Sequence, residues 1–187
     1  MITEPVILAS ASPRRAELLR QIDVTFEVRP SDIDETPLPG EPPADYVQRM
    51  ALEKARAVDV PGRVVIGADT SVVLGDQIMG KPENREAGLE MLARLSGRTH
   101  RVFSAVAASH QDSTRVALSL SRVRFRVISP AEAVAYWESG EPCDKAGGYA
   151  IQGRGAVFVA RLCGSYSGVM GLPLCETARL LEEVRHE

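Results

Sequence analysis

Polar and apolar positions in this chain follow two periods that alternate along its length. The stretch Val64-Val65-Ile66-Gly67-Ala68-Asp69-Thr70-Ser71-Val72-Val73-Leu74 is β-branched and apolar on either side of a small polar centre. A run apolar at nearly every position predicts a strand covered on both faces. From Ala44 to Val58 the period changes: Val47, Met50, Ala51 and Val58 recur at helical spacing and predict an amphipathic helix. Short strands are predicted at Pro5–Ser10, Val24–Val28 and Val157–Leu162, and two long ones at Thr99–Ala108 and Thr114–Ile128. In the second long strand Val116, Leu118 and Leu120, then Val123, Phe125 and Val127, alternate with polar positions. Arg122, Arg124 and Arg126 fall opposite that last set, as a basic strip or a solvated sheet face. Helices are predicted after Pro13, over Arg85–Leu95, from Pro130 to about Ser139 and over Leu172–Val184, with a turn and short strand at Gly164–Met170. Ser12 suits an N-cap, Ser129-Pro130-Ala131-Glu132 reads as a capping box, and Gly75-Asp76-Gln77 reads as a hairpin turn.

The pattern is broken where chemistry is expected. Asp69 sits inside an apolar strand, and a buried lone carboxylate costs several kcal/mol or gives up its charge. It therefore needs a cation or donors nearby, unless it merely ends the strand or caps a turn. Gly67 and Ala68 leave room for a close approach. Lys54 lies three after Ala51, four after Met50 and seven after Val47, on the inward face, while Glu53 and Arg56 point outward. Its head group either snorkels out or reaches an anion in a cleft. Ser10-Ala11-Ser12-Pro13-Arg14-Arg15 places a strand-to-helix turn beside two guanidiniums, which is an anion site or a capped helix with solvated arginines. Asp32, Asp34 and Glu35 form an acidic loop, either solvated or able to join Asp69 around a hard divalent ion. Lys81, between Gly80 and Pro82, by itself reads as a solvated loop lysine. Around Asp144-Lys145-Ala146-Gly147-Gly148 and Ile151-Gln152-Gly153 the glycines admit a ligand to the backbone, and the Gln152 amide can both donate to and accept from a base edge. The bland alternative is a glycine-rich connection.

Composition narrows these choices. At 187 residues, with 44% hydrophobic and 25% charged, the chain reads as one globular domain over 1–187. A net charge of -3 provides no general attraction to nucleic acid or anionic membranes, so an anionic substrate needs a local basic patch. Cys143, Cys163 and Cys175 are odd in number without CxxC spacing, which fits a reducing compartment. His100, His110 and His186 form no HxxxH or HExxH pair. No signal-peptide pattern and no stretch of membrane-spanning length is expected.

Taken together in order, Ser10-Ala11-Ser12-Pro13-Arg14-Arg15, Asp34-Glu35, Glu53-Lys54-Ala55, Gly67-Ala68-Asp69-Thr70, Gly80-Lys81-Pro82, Leu95-Ser96-Gly97-Arg98-Thr99-His100, Asp144-Lys145-Ala146-Gly147 and Ile151-Gln152-Gly153 resemble the Maf family of nucleoside triphosphate pyrophosphatases. The resemblance spans nearly the whole chain. It implies an α/β (α+β) fold of Maf/ITPase-like type, a curved mixed β-sheet flanked by helices, with two lobes around a cleft. It implies hydrolysis of a nucleoside triphosphate to monophosphate and pyrophosphate with a divalent metal cation, Mg2+ or Mn2+. Asp-Lys-Ala-Gly followed by Gln-Gly resembles the branch acting on dTTP and UTP.

Residue by residue, the resemblance implies that Asp69 is the catalytic carboxylate, with Glu35 holding the metal or sharing the base role. Arg14, Thr70 and Gln152 match positions tied to substrate choice. Ser10, Arg15, Lys54 and Lys81 match the phosphate-binding set. A cytoplasmic homodimer without stable nucleic-acid or membrane partners is the further expectation. No GxxxxGK[ST] pattern is present, so a helix terminus and separate cations must replace a P-loop. Two alternatives stand: a house-cleaning pyrophosphatase for other non-canonical nucleotides such as 7-methyl-GTP, and a non-catalytic nucleotide-binding regulator of cell division.

Overall fold

The computed structural model describes residues 5–58, 60–111 and 113–184, so both ends of the expected 1–187 domain, His186 included, lie outside the described residues. Seven strands form one mixed sheet: β1 (Val6–Leu8), β2 (Phe26–Val28), β3 (Val65–Leu74), β4 (Gln77–Met79), β5 (Thr99–His110), β6 (Ser113–Phe125) and β7 (Val159–Cys163). Their order is β2-β1-β3-β5-β6-β7, with β4 paired to β3 off that path. The pairs β1–β2 and β1–β3 are parallel, and the remaining pairs are antiparallel. The helices are α1 (Pro13–Gln21), α2 (Pro43–Ala57), α3 (Arg85–Leu95), α4 (Pro130–Glu138), α5 (Tyr166–Met170) and α6 (Leu174–Glu183). The sheet and its flanking helices make the α/β fold expected of the sequence.

β3 is covered on both faces, as the apolar residues on either side of its polar centre require. One face carries α2, whose Val47, Met50, Ala51 and Ala55 pack on Val73, Phe103, Ala105 and Ala107. The small residues there let the helix lie low. Gly67 is essential to that approach, because a Cβ on it would overlap the carbonyl oxygen of Ala51 and the amide nitrogen of Ala55. On the opposite face two separate clusters form. One joins α1 and α6 to Val6, Leu8, Ile66 and Val106. The other packs Leu92, Leu95, Ala133 and Tyr136 on Val72, Val102, Val123 and Phe125.

Several local expectations are corrected. Gly164–Met170 holds a helix, α5, and no strand; the Ser165 side chain accepts from Gly168 N and caps it. Five residues are too few for a helical period to show in the sequence. β6 ends at Phe125 instead of Ile128, and Val127 is 74% exposed beyond it. Leu120, grouped by alternation with the partly buried Val116 and Leu118, is 44% exposed because it projects on the α2 side of the sheet past the reach of α2. Ser12 stands at the N-cap of α1 but makes no side-chain capping bond, while the capping box at Ser129 and Glu132 is fully formed.

Candidate active site

The register of β3 opens a gap in the sheet. β1 pairs with Val65 and Ile66, and β4 pairs with Val72 to Leu74 along the same edge. Between them the edge of β3 runs without a neighbouring strand. Ser10 and Ala11, leaving β1, form one lip, and Met79, Gly80 and Lys81, leaving β4, form the other. A cavity of about 660 Å³ occupies this opening, within the range of small-molecule sites. Its lining includes Ser10, Arg14, Arg15, Glu35, Lys54, Asp69, Thr70, Lys81 and Gln152, so one space collects the nine residues matched through the resemblance, while Asp32 and Asp34 of the acidic loop do not line it.

Asp69 points to the α2 side and is 7% exposed. The cation that burial demands is Lys54, whose Nζ lies 2.8 Å from Asp69 Oδ1. Lys54 is 6% exposed, so its head group does not snorkel to solvent. The same Nζ is 3.0 Å from Glu35 Oε1. Glu35 itself is exposed and rides on the acidic loop. That loop is tied to α2. Tyr46 Oη donates to the Glu35 carbonyl at 2.8 Å, and the Arg49 guanidinium donates to Thr36 O at 3.2 Å and to both Glu41 oxygens at 2.6 and 2.7 Å. Arg49 holds the Glu41 carboxyl down to about 2. Burial, with Asp69 and Glu35 adding to it, raises the Tyr46 phenol to about 12, so it remains a donor.

Arg15 comes off the first turn of α1 and is pinned on two sides. Its Nε donates to Gly171 O at 2.8 Å and its NH1 to Ser10 Oγ at 2.9 Å. Burial lowers its pKa from the ordinary arginine value, and the Asp69 charge opposes that shift; a guanidinium so held remains a cation. Ser10 Oγ also accepts from Ser12 N at 3.3 Å. Thr70 faces the side of the sheet opposite Asp69. Its Oγ1 is 2.7 Å from Ser104 Oγ and donates to Gly171 O at 3.3 Å, so Thr70 and Arg15 share one carbonyl anchor.

Across the opening, Arg14 NH1 lies 3.8 Å from Asp144 Oδ2, and Lys145 Nζ hydrogen-bonds Asp144 Oδ1. Lys145, and beyond it Arg14, hold the Asp144 carboxyl below its ordinary value against the opposing effect of burial. Among the described residues the Lys81 ammonium and the Gln152 amide have no hydrogen-bond or ion-pair partner, and both line the cavity. Behind this wall Tyr149 Oη meets His100 Nε2 at 2.8 Å. Burial pushes His100 down to about 4, so the imidazole is neutral at pH 7.

Sequence reasoning missed the ties that hold these groups: Tyr46, Arg49, Glu41, Ser104, Tyr149 and the Gly171 carbonyl. A backbone acceptor has no sequence signal. Arg49 and Glu41 stand eight apart across a helix start, outside any periodic pairing. Lys145 was legible only as half of an Asp-Lys pair.

Among the described residues no group of three or more His, Cys, Asp or Glu side chains could enclose a metal ion. Two carboxylates do converge, since Glu35 and Asp69 approach the same Lys54 Nζ. That donor set fits a hard divalent ion held partly by substrate phosphates and water, and does not fit an all-protein cage. No helix among the described residues is long and apolar enough to cross a membrane.

Residues 5–184 match the family described as Maf-like protein. A Methylococcus capsulatus protein named dTTP/UTP pyrophosphatase is 55% identical over 96% of this chain and 90% of its own length. An Aromatoleum aromaticum protein of the same name is 50% identical over 95% of this chain and 94% of its own length. A third, from Pseudoalteromonas atlantica, is 51% identical over 96% of each.

Proposed function

This chain belongs to the Maf family, and on that premise we propose that it hydrolyses dTTP and UTP to the monophosphate and pyrophosphate. Five relatives at 50–55% identity carry the name dTTP/UTP pyrophosphatase. The observation that carries the reading is the single cavity in which Asp69 and Glu35 meet Lys54 on one side while Arg14, Arg15 and Lys81 stand around the rest.

The reaction is attack of water on a phosphorus with pyrophosphate leaving. The protein has to line up the water and spread negative charge. Asp69, fixed by Lys54, is the base that takes the proton of the water, and Glu35 stands beside it to orient that water. Arg15, locked by Gly171 and Ser10, presents its remaining N–H groups to phosphate oxygens. Lys54 and Lys81 supply point charges along the triphosphate, and Ser10 is free to donate its hydroxyl hydrogen. Glu35 and Asp69 would hold a bound Mg2+ or Mn2+, which would supply further charge neutralisation at the reacting phosphate. Arg14, Thr70 and Gln152 set the choice of nucleotide. The unpaired Gln152 amide offers both a donor and an acceptor, as the imide and carbonyl of uracil or thymine require. A base that leaves those groups unpaired in the closed site is disfavoured by a few kcal/mol. The protein is expected to act in the cytoplasm as a homodimer, which light scattering checks.

The test is release of pyrophosphate, separated from orthophosphate, from dTTP, UTP, CTP, GTP and 7-methyl-GTP with magnesium or manganese. Pyrophosphate from dTTP and UTP ahead of the others is the expected result. Orthophosphate as first product overturns the reaction assigned, and preference for a purine overturns the pyrimidine assignment.

A further inference from the structure

The segment that carries Gln152 is held by a pair of side chains outside the cavity, Glu141 and Tyr136. Gln152 is exposed, and its amide makes no hydrogen bond among the described residues. A free side chain of this kind loses considerable rotamer freedom when it engages a ligand. It can select a base only if its backbone is already in place. The backbone here contributes few long-range bonds of its own. The segment turns through Gly153 N to Ala150 O at 3.3 Å and Ala156 N to Gly153 O at 3.1 Å, both local.

The fixed points come from Glu141 and Tyr136. Ala150 N donates to Tyr136 Oη at 3.0 Å, two residues before Gln152. Arg154 N donates to Glu141 Oε2 at 2.9 Å and Gly155 N to Glu141 Oε1 at 3.0 Å, two and three residues after it. Tyr136 Oη donates to Glu141 Oε1 at 2.6 Å and so joins the two ends of the turn. Burial works against the Glu141 charge, yet Tyr136 and the two backbone N–H groups hold its carboxyl below the ordinary value. The glycines confirm how tightly the chain wraps this pair. A Cβ on Gly153 would overlap the Glu141 carboxylate, and one on Gly155 would lie 2.7 Å from Tyr136 Oη. Tyr136 is itself anchored, buried at 5% exposure with its ring edge-to-face on Phe158.

We infer that Glu141 and Tyr136 are positioning residues for nucleotide selection, bracketing Gln152 so that its amide meets the pyrimidine edge in one fixed orientation. The inference rests on the role given to Gln152 above. This part-buried hydrogen-bonded network specifies one geometry while every member is satisfied and loses it when one is removed.

The test compares kcat/KM for dTTP with that for CTP in the full-length protein, in wild type, Gln152→Ala, Tyr136→Phe and Gln152→Ala/Tyr136→Phe. Thermal melting runs in parallel. Tyr136→Phe removes one hydroxyl and leaves Ala150 N and Glu141 each short of a partner. Its dTTP-to-CTP ratio is expected to fall about tenfold, in the same direction as Gln152→Ala, mostly through KM. In the Gln152→Ala background the same change should alter the ratio by less than about twofold, because the group being positioned is gone. Glu141→Gln keeps the side-chain volume and gives the same readout should Tyr136→Phe fail to fold. A melting temperature that falls while the ratio remains at the wild-type value, or effects that multiply in the double variant, overturns the inference and leaves the role of Gln152 standing. A wild-type protein that does not prefer dTTP, or a Gln152→Ala variant that still does, removes that role and this inference with it.

Discussion

Replacing Lys54 by methionine is the sharpest test of how this protein keeps a carboxylate inside its sheet. The change preserves most of the stem and deletes only the ammonium that lies 2.8 Å from Asp69 and 3.0 Å from Glu35. Glu35 is exposed and returns to water at little cost. Asp69 is 7% exposed and has no other side-chain hydrogen-bond partner among the described residues. Removing one partner of a buried pair typically costs ~3–5 kcal/mol. Here the lower end, ~3 kcal/mol, is expected, since the Arg15 charge still acts on Asp69. A domain stable by ~5–15 kcal/mol remains folded through such a loss. The penalty belongs to the uncompensated charge, so removing that charge as well should recover it. Urea unfolding at pH 8 measures both effects. The companion variant Lys54→Met/Asp69→Asn carries neither charge of the pair and should be more stable at pH 8 than Lys54→Met alone. Turnover of Lys54→Met should fall by ~10²–10³-fold, as for loss of one charge-stabilising donor. Unchanged stability in Lys54→Met, or no recovery from Asp69→Asn, would falsify the pairing.

Three further outcomes are expected. Asp69→Asn should lower the melting temperature only modestly, since the amide oxygen can still accept from Lys54 and Glu35 keeps that ammonium paired, while pyrophosphate release drops by at least ~10²-fold, as for loss of a general base; near-normal turnover would remove Asp69 from the chemistry. Gly67→Val should destabilise by ~1–3 kcal/mol or more, since its Cβ meets the backbone of Ala51 and Ala55 rather than a flexible side-chain end. It should also lower kcat by lifting Lys54 off Asp69, and unchanged stability and activity would contradict the close packing. His100 has a folded pKa of about 4 against 6.5 unfolded, so stability is intact above pH 6.5 and is lost as pH falls towards 4, at up to ~1.4 kcal/mol per unit. His100→Gln should flatten the dependence of the melting temperature on pH in that window, and an unaltered slope would show that other groups govern acid unfolding.

The sequence alone determined the elements whose signal is local and repeated. Helical spacing put Lys54 on the buried face of α2, the apolar residues on either side of Asp69 placed β3 in the sheet interior, and the misfit of Asp69 among them asked for a cation or donors nearby. These follow because periodicity is written in neighbouring residues. The folded chain decided which partners fill those demands. Asp69 meets Lys54, 15 positions away, because Gly67 lets α2 settle on β3 in one register. Glu35 reaches the same ammonium because Tyr46 and Arg49 hold its loop, and Thr70 and Arg15 converge on Gly171, 101 and 156 positions distant. The cavity itself exists because β1 and β4 pair with different halves of β3. Strand register and backbone carbonyls leave no imprint on residue type, so only the assembled sheet could reveal the gap into which the candidate chemistry opens.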